Sequence, residues 1–323
     1  MRRETTSNGV PIELLRKYDK PGPRYTSYPT APEWISEVGS DEYARALKAA
    51  SQPFDEPLAI YCHIPFCKKR CYYCGCNTCI INKVSSADDY LDRLLEEIDA
   101  AADSLGDRNS ISQLHFGGGT PTYVGVEGLG RVLGKLNERF KFPDGCEKSM
   151  EIDPRVTTIE QLEFLAANGF NRISLGVQDF EPTVQKAIGR IQPFEQVENT
   201  LRKCRELDFK GINFDLIYGL PFQTPETFRG TLDKVIGLRP DRVAVYSFAY
   251  LPKIKSNQAM IRPEDLPPTE VKYQLFADAI ERFTSAGYRQ IGMYQLALPY
   301  DVLTRAQEDG RLHRNFLGYT VLA

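Results

Sequence analysis

Six short apolar runs alternate with helix-patterned segments along most of this chain, and that alternation constrains its fold more than any other feature. The runs lie near residues 58–63, 112–116, 149–152, 172–175, 212–217 and 242–248, each suited to a buried strand. Between them, Tyr90, Leu91, Leu94, Leu95 and Ile98 repeat at helical spacing, as do Leu129, Leu133, Leu136 and Phe140. Thr158 with Gln161 makes a capping box for a third helix, and segments 194–207, 225–236 and 269–284 complete the series. Strand–helix units in series build a parallel sheet covered by helices. Six units rather than eight predict an α/β fold, an incomplete parallel (β/α)6 barrel with a lateral opening, over residues 56–323. Residues 1–55 read as a helical and extended N-terminal arm. A short helix over 12–18 is ended by Lys20-Pro21-Gly22-Pro23, and a second is expected near 41–50. Between them Arg24-Tyr25-Thr26-Ser27-Tyr28-Pro29-Thr30-Ala31-Pro32 is too rich in Pro and β-formers to be helical.

Directly after the first run come Cys67, Cys71 and Cys74, three thiols in eight residues at C-x3-C-x2-C spacing. A closed iron–sulfur cluster takes four cysteine ligands, so three leave one iron of a [4Fe–4S] cube open to a small molecule. Zinc sites usually pair C-x2-C with a second distant pair, and none is visible in the sequence. A disulfide framework does not suit a chain that starts polar and basic with no apolar segment behind it. The eight cysteines fit a reducing cytoplasm, which is the expected location. A formal net charge of −3 implies no nucleic-acid partner, and no apolar run approaches the ~20 residues of a membrane span.

The other distinctive motifs also fall at the ends of predicted strands, which in β/α barrels is the rim where active sites assemble. Gly117-Gly118-Gly119-Thr120-Pro121 follows the second run. Without Cβ atoms, such a backbone can approach a ligand closely, although a tight turn uses glycines equally well. Glu151-Ile152-Asp153-Pro154-Arg155 ends the third run, and its carboxylates could bind an ammonium or ribose hydroxyls, with a surface ion pair as the rival. Asp215 is a charge within an apolar strand, which is costly unless it is paired or bonded to a ligand. His63 and His115 are each beside a strand, where a satisfied core role is common, while His63 could also tune a cluster or donate a proton.

The run Tyr61-Cys62-His63-Ile64-Pro65-Phe66-Cys67-Lys68-Lys69-Arg70-Cys71-Tyr72-Tyr73-Cys74-Gly75-Cys76-Asn77 resembles the radical S-adenosylmethionine (SAM) enzymes. Within them it is most similar to the oxygen-independent coproporphyrinogen III oxidases. The resemblance extends from Arg24-Tyr25-Thr26-Ser27-Tyr28-Pro29-Thr30 to Arg314-Asn315-Phe316. It implies a radical SAM barrel in which Cys67, Cys71 and Cys74 hold a [4Fe–4S] cluster with one open iron. It also implies two SAM molecules, with Gly118 and Glu151 at the first and Gly119, Thr120, Gln178, Arg190, Asp215 and Ala249 at the second. Tyr61 and Tyr73 are SAM neighbours by the same match, and Asp153 is a weaker one. Tyr61, His63 and Cys76 are the candidates for catalytic roles. Cys76 is not a cluster ligand in this branch; it separates the oxidases from haem-chaperone and haem-degrading branches that usually carry Phe there. Cys62, Cys79, Cys146 and Cys204, isolated or in apolar contexts, are expected to be structural.

In that family a radical generated from SAM takes a β-hydrogen from a propionate of coproporphyrinogen III. Loss of carbon dioxide and one electron leaves a vinyl group, and two such events give protoporphyrinogen IX. The implied partners are coproporphyrinogen III, a one-electron donor and a terminal electron acceptor, and the chain is expected to be a monomer. Basic side chains such as Arg24 are expected to meet the substrate's carboxylates. Two departures stand out: Tyr294-Gln295 where the family has Asp-His, and Leu317 where it has Gln. The chain is also shorter than the family's usual length, without its helical C-terminal domain, so exposed apolar barrel surface and impaired turnover are expected. Two other readings are a haem-binding chaperone and a haem-degrading radical SAM methyltransferase.

Overall fold

A computed structural model describes residues 10–20, 28–30, 33, 37–52 and 55–321, so Arg24 and most of the extended motif around it lie outside the described residues. Helices α1 (Ile12–Tyr18) and α2 (Ser40–Ala50) precede strand β1 (Leu58–Ile64). The two-residue strands β2 (Phe66–Cys67) and β3 (Cys79–Ile80) pair in parallel and bracket the cysteine loop. Then follow α3 (Asp88–Leu105), β4 (Ile111–Gly118), α4 (Gly125–Arg139), β5 (Glu147–Ile152), α5 (Ile159–Ala167) and β6 (Arg172–Gln178). Next are α6 (Pro182–Ala187), α7 (Phe194–Glu206), β7 (Gly211–Tyr218), α8 (Pro225–Leu238), β8 (Arg242–Ser247) and α9 (Thr269–Ser285). Strands β9 (Arg289–Gly292) and β10 (Gln295–Ala297), helix α10 (Val302–Glu308) and the hairpin β11 (His313–Asn315) and β12 (Gly318–Thr320) end the series.

The main sheet runs β1-β4-β5-β6-β7-β8-β10-β9, and its first six strands are parallel, as the six runs predict. It is an open sheet with β1 and β9 at its edges. The two extra strands are an addition to the six-unit expectation: β10 lies antiparallel to β8, and β9 antiparallel to β10. Each is only three or four residues long, too short to show a periodic signature.

Alternation along the strands separates the two faces of the sheet. Ile64, Leu114, Phe116, Met150, Leu175, Phe214, Leu216, Val243 and Val245 are buried in one core with helix residues such as Leu91, Leu129, Leu136, Leu165, Leu201, Phe228 and Leu232. Each such side chain contributes about 1.5–3 kcal/mol on burial, so the helix-covered face can supply most of the stability. The opposite face carries Tyr61, His63, His115, Ser149, Glu151, Ser174, Asn213 and Asp215, none fully buried. This incomplete barrel therefore has a polar, partly open inner face.

An ionic floor closes the other end. At the N-terminal ends of the strands, Arg172 Nε lies 2.6 Å from Glu147 and Arg242 Nε 2.8 Å from Asp301. Gln113 donates to Glu147 at 2.9 Å, and Asp301 also caps α10 by accepting from the Leu303 amide at 2.8 Å. The arm packs on the C-terminal elements: Arg16 pairs with Glu270 on α9, and the Tyr28 amide donates to Asn315 O at 2.9 Å. Among the described residues no helix is long and apolar enough to cross a membrane.

Candidate cluster and ligand site

The cysteine loop leaves β1 and is sewn to the glycine run beside it. Gly119 N donates to Ile64 O at 2.8 Å and Thr120 N to Phe66 O at 2.9 Å. These bonds set Cys67 Sγ 3.6 Å from Thr120 Oγ1. Cys71 Sγ accepts from Arg155 Nη2 at 3.5 Å and from Arg190 Nη1 at 3.9 Å. The Cys76 thiol bonds to Cys74 and, with the Cys76 amide and the charges of Arg70 and Lys255, brings Cys74 down to about 6 despite burial. Burial pushes Cys67 up to about 11, against the lowering contact from Thr120.

Among the described residues, no three His, Cys, Asp or Glu side chains are gathered as the ligands of one metal ion. A single zinc would need thiolates about 4 Å apart on one tetrahedron, whereas a cube takes one thiolate per iron. The donor set fits the cube: three free thiols on one loop, one already acidic and one beside two guanidinium groups. Cys67 must lose its proton on ligation, which makes cluster assembly proton-releasing. Cys62, Cys146 and Cys204 are buried, as expected for structural residues; Cys79 departs from that expectation, being exposed on β3 beside the loop.

Beneath Cys71 lies a buried charge cluster. Asp153 accepts from Arg190 Nη1 at 2.9 Å and from Arg155 Nη2 at 2.7 Å. Burial pushes the Asp153 carboxyl up, but the two guanidiniums, Arg190 foremost, hold it below the usual carboxylate value. Arg190 Nη2 donates to Gly176 O at 2.6 Å, while its Nε has no partner among the described residues although Arg190 is only 6% exposed. Arg155 was visible in the sequence only as the end of a motif; its approach to Cys71, 84 residues away, has no local signal.

On the polar face a second group converges. Tyr61 Oη lies 2.9 Å from His63 Nδ1, and His63 Nε2 lies 3.0 Å from Asn77 O. A carbonyl can only accept, so neutral His63 carries its proton on Nε2 and the tyrosine donates to Nδ1. Tyr61 stacks on His115 with ring centroids 5.7 Å apart, and burial pushes its hydroxyl pKa up. His115 Nδ1 lies 2.6 Å from Ser149 Oγ, and its Nε2 is 3.5 Å from Glu151, which also accepts from Gly118 N at 3.2 Å. The glycine run makes this closeness possible. A Cβ on Gly117 would stand 3.0 Å from Tyr61, and one on Gly119 2.7 Å from the Pro65 backbone.

The remaining predicted positions line the same rim. Gln178 ends β6 at a register shift, with a left-handed φ of 67° unusual for a residue with a side chain. Asp215 accepts from Ser174 Oγ at 3.1 Å and Asn213 Nδ2 at 2.9 Å, two neutral donors that meet this charge. Tyr73 packs in a second apolar cluster with Val184, Ile188, Leu220, Phe248 and Ile261. Ala249 lies just past β8, its carbonyl accepting from Gln258 Nε2 at 3.0 Å. Ser174, Asn213 and Gln258 have ordinary sequence contexts and were not foreseen. Of the departing positions, the Tyr294 ring lies tilted on Tyr246 with centroids 4.5 Å apart, and Gln295 Nε2 donates to Asn213 Oδ1 at 3.3 Å beside Asp215. Leu317 sits in the β11–β12 turn.

Comparison with known proteins agrees with this geometry. Residues 61–235 match the model of the radical SAM superfamily. The oxygen-independent coproporphyrinogen III oxidase of Salmonella typhimurium is 45% identical over 309 residues, covering 96% of this chain and 67% of that protein. The protein of the same name from Pseudomonas aeruginosa is 44% identical over 95% of this chain and 67% of its own length. The solved coproporphyrinogen III oxidase of Escherichia coli, described as a radical SAM enzyme, superposes with a TM-score of 0.88 at 42% identity, covering 99% of this chain and 70% of that one.

Proposed function

The chain belongs to the oxygen-independent coproporphyrinogen III oxidase family of the radical SAM superfamily, and from that premise we propose that it oxidatively decarboxylates two propionates of coproporphyrinogen III to vinyl groups, giving protoporphyrinogen IX. The observation that carries this is Cys67, Cys71 and Cys74 on one loop beside the polar rim of Glu151, Arg190 and Asp215. Neither the chaperone nor the methyltransferase reading is favoured by the names of the relatives.

Each chain residue has a distinct task in this reading. Cys67, Cys71 and Cys74 hold the [4Fe–4S] cluster, and Arg155 and Arg190 offset the negative charge gathered at Cys71. Bound together, cluster and SAM supply one-electron chemistry that ends in removal of a hydrogen atom from the substrate. Glu151 and the Gly118 backbone receive the first SAM, with Tyr61 beside them. Gly119, Thr120, Gln178, Arg190, Asp215 and Ala249, with Tyr73 behind them, receive a second. The unpartnered Arg190 Nε supports an anionic group there. His63, held in one tautomer by Asn77, keeps the Tyr61 hydroxyl oriented towards the rim. Cys76 supports Cys74 rather than taking an iron. Residues 1–55 act as an arm on a barrel of 56–323, and the chain works as a cytoplasmic monomer served by a one-electron donor and a terminal acceptor.

The test is anaerobic. The chain is reconstituted with iron and sulfide, then given SAM, reductant and coproporphyrinogen III, and 5′-deoxyadenosine and protoporphyrinogen are measured together by mass spectrometry. Both products are expected; absence of both from a chain carrying its cluster would overturn the reading.

A further inference from the structure

The cysteine loop has a second attachment, on the far side from the glycine run, and a single amide makes three of its contacts. Asn257 stands in a 3-10 turn (Ser256–Met260) that follows β8. Its Nδ2 lies 3.1 Å from Cys71 O, 3.0 Å from Tyr72 O and 3.0 Å from Cys74 O. An amide nitrogen carries two hydrogens, so three carbonyls share them through a bifurcated bond. The amide orientation follows from its surroundings: Oδ1 in that place would face three carbonyl oxygens with no donor between. The next residue, Gln258, is 1% exposed and bridges Tyr73 O at 2.9 Å to Ala249 O at 3.0 Å. Lys255 Nζ reaches Cys76 O at 3.5 Å. The turn therefore gathers carbonyls from five of the six residues 71–76.

We infer that Asn257 is a positioning residue that fixes the Cys71–Cys74 half of the cluster loop to the end of β8. This rests on the cluster reading above, and deepens it. The loop leaves β1, an edge strand, whereas the turn follows β8, the last parallel strand of the same sheet. The clamp thus ties together the two ends of the parallel series across an unclosed rim. Cys67, on β2, is held by pairing with β3 and by the glycine run; Cys71 and Cys74 lie on the span where Asn257 donates to three carbonyls, beside Gln258 and Lys255. Correct spacing of three thiolates on one cube requires both attachments. By pulling three carbonyls to one side, Asn257 also turns the following amides, those of Tyr72, Tyr73 and Gly75, to the other side, because a peptide's C=O and N–H point in opposite directions.

Two substitutions separate hydrogen bonding from packing. Asn257→Ala removes the donors and the bulk, and Asn257→Asp keeps the shape while replacing donors by acceptors. In the cluster-free chain, hydrogen exchange of peptides spanning 71–77 is expected to quicken about tenfold in Asn257→Ala and at least as much in Asn257→Asp, because a loop without its carbonyl clamp opens more often. Peptides from β6 and β7 in the same samples should keep the wild-type rate, showing that the barrel is intact. After reconstitution, both variants should release iron to a chelator faster, and the reduced cluster should show a shifted electron paramagnetic resonance spectrum. Wild-type exchange over 71–77 in both variants, or a mild Asn257→Asp beside a severe Asn257→Ala, would overturn the inference. If the wild-type chain takes up no iron and sulfide, the cluster reading fails separately, and exchange still decides the clamp.

Discussion

Gly118 shows how little room the rim leaves for change. Its φ of +116° lies where side chains are disfavoured, and a Cβ would stand 2.7 Å from the His63 ring. Gly118→Ala is expected to cost about 1–3 kcal/mol and to push His63 off Tyr61 and Asn77, which thermal unfolding with an activity assay would check; an unchanged melting temperature and rate would refute it. The glycine run was legible as a place of close approach. What approaches, in the protein itself, is Tyr61, His63 and the Pro65–Phe66 backbone, and that depends on β4 lying beside β1 in a register that sets His63 against Gly117. Asp215 was legible as an anomalous charge, but its partners Ser174 and Asn213 lie on a neighbouring strand and two positions along its own.

Elements repeat this pattern. The capping box at α5 is complete, with Gln161 N donating to Thr158 at 3.2 Å and Thr158 N to Gln161 at 2.9 Å, because both partners lie within one turn. The ionic floor has no such locality, since Arg172 and Asp301 are 129 residues apart. Arg172 joins β6 to Glu147 on β5 and to the cap of α10, so Arg172→Ala leaves Glu147 without its guanidinium partner while Asp301 keeps Arg242. The expected loss is about 1.5–3 kcal/mol, read by denaturant unfolding, with the number of irons bound per folded chain unchanged because the floor lies at the opposite end from the cysteines. A drop in iron content of the folded fraction would mean that floor and rim are coupled.

For the whole molecule, stability and chemistry occupy opposite faces of one sheet. The helix-covered face is apolar and closely packed, and the other face can therefore carry a network of partly exposed polar groups. Cluster binding to the folded chain alone should add stability by mass action. On the reading that Cys76 supports Cys74 rather than taking an iron, reconstitution is expected to raise the melting temperature of the wild-type chain and of Cys76→Ser and to leave Cys71→Ser unshifted. A Cys76→Ser variant that fails to take up iron would make Cys76 a ligand after all.

The strand–helix series, the three-cysteine loop and the capping box could be read from residues close together in the chain, because periodicity and ligand spacing are local properties. The polar lining of the barrel, the guanidiniums on Cys71, the Asn257 clamp and the ionic floor could not. They depend on pairs drawn from different elements, up to 186 positions apart. Such pairs meet only once sheet order and register are set, and these depend on how the apolar faces of six strands and their helices bury one another.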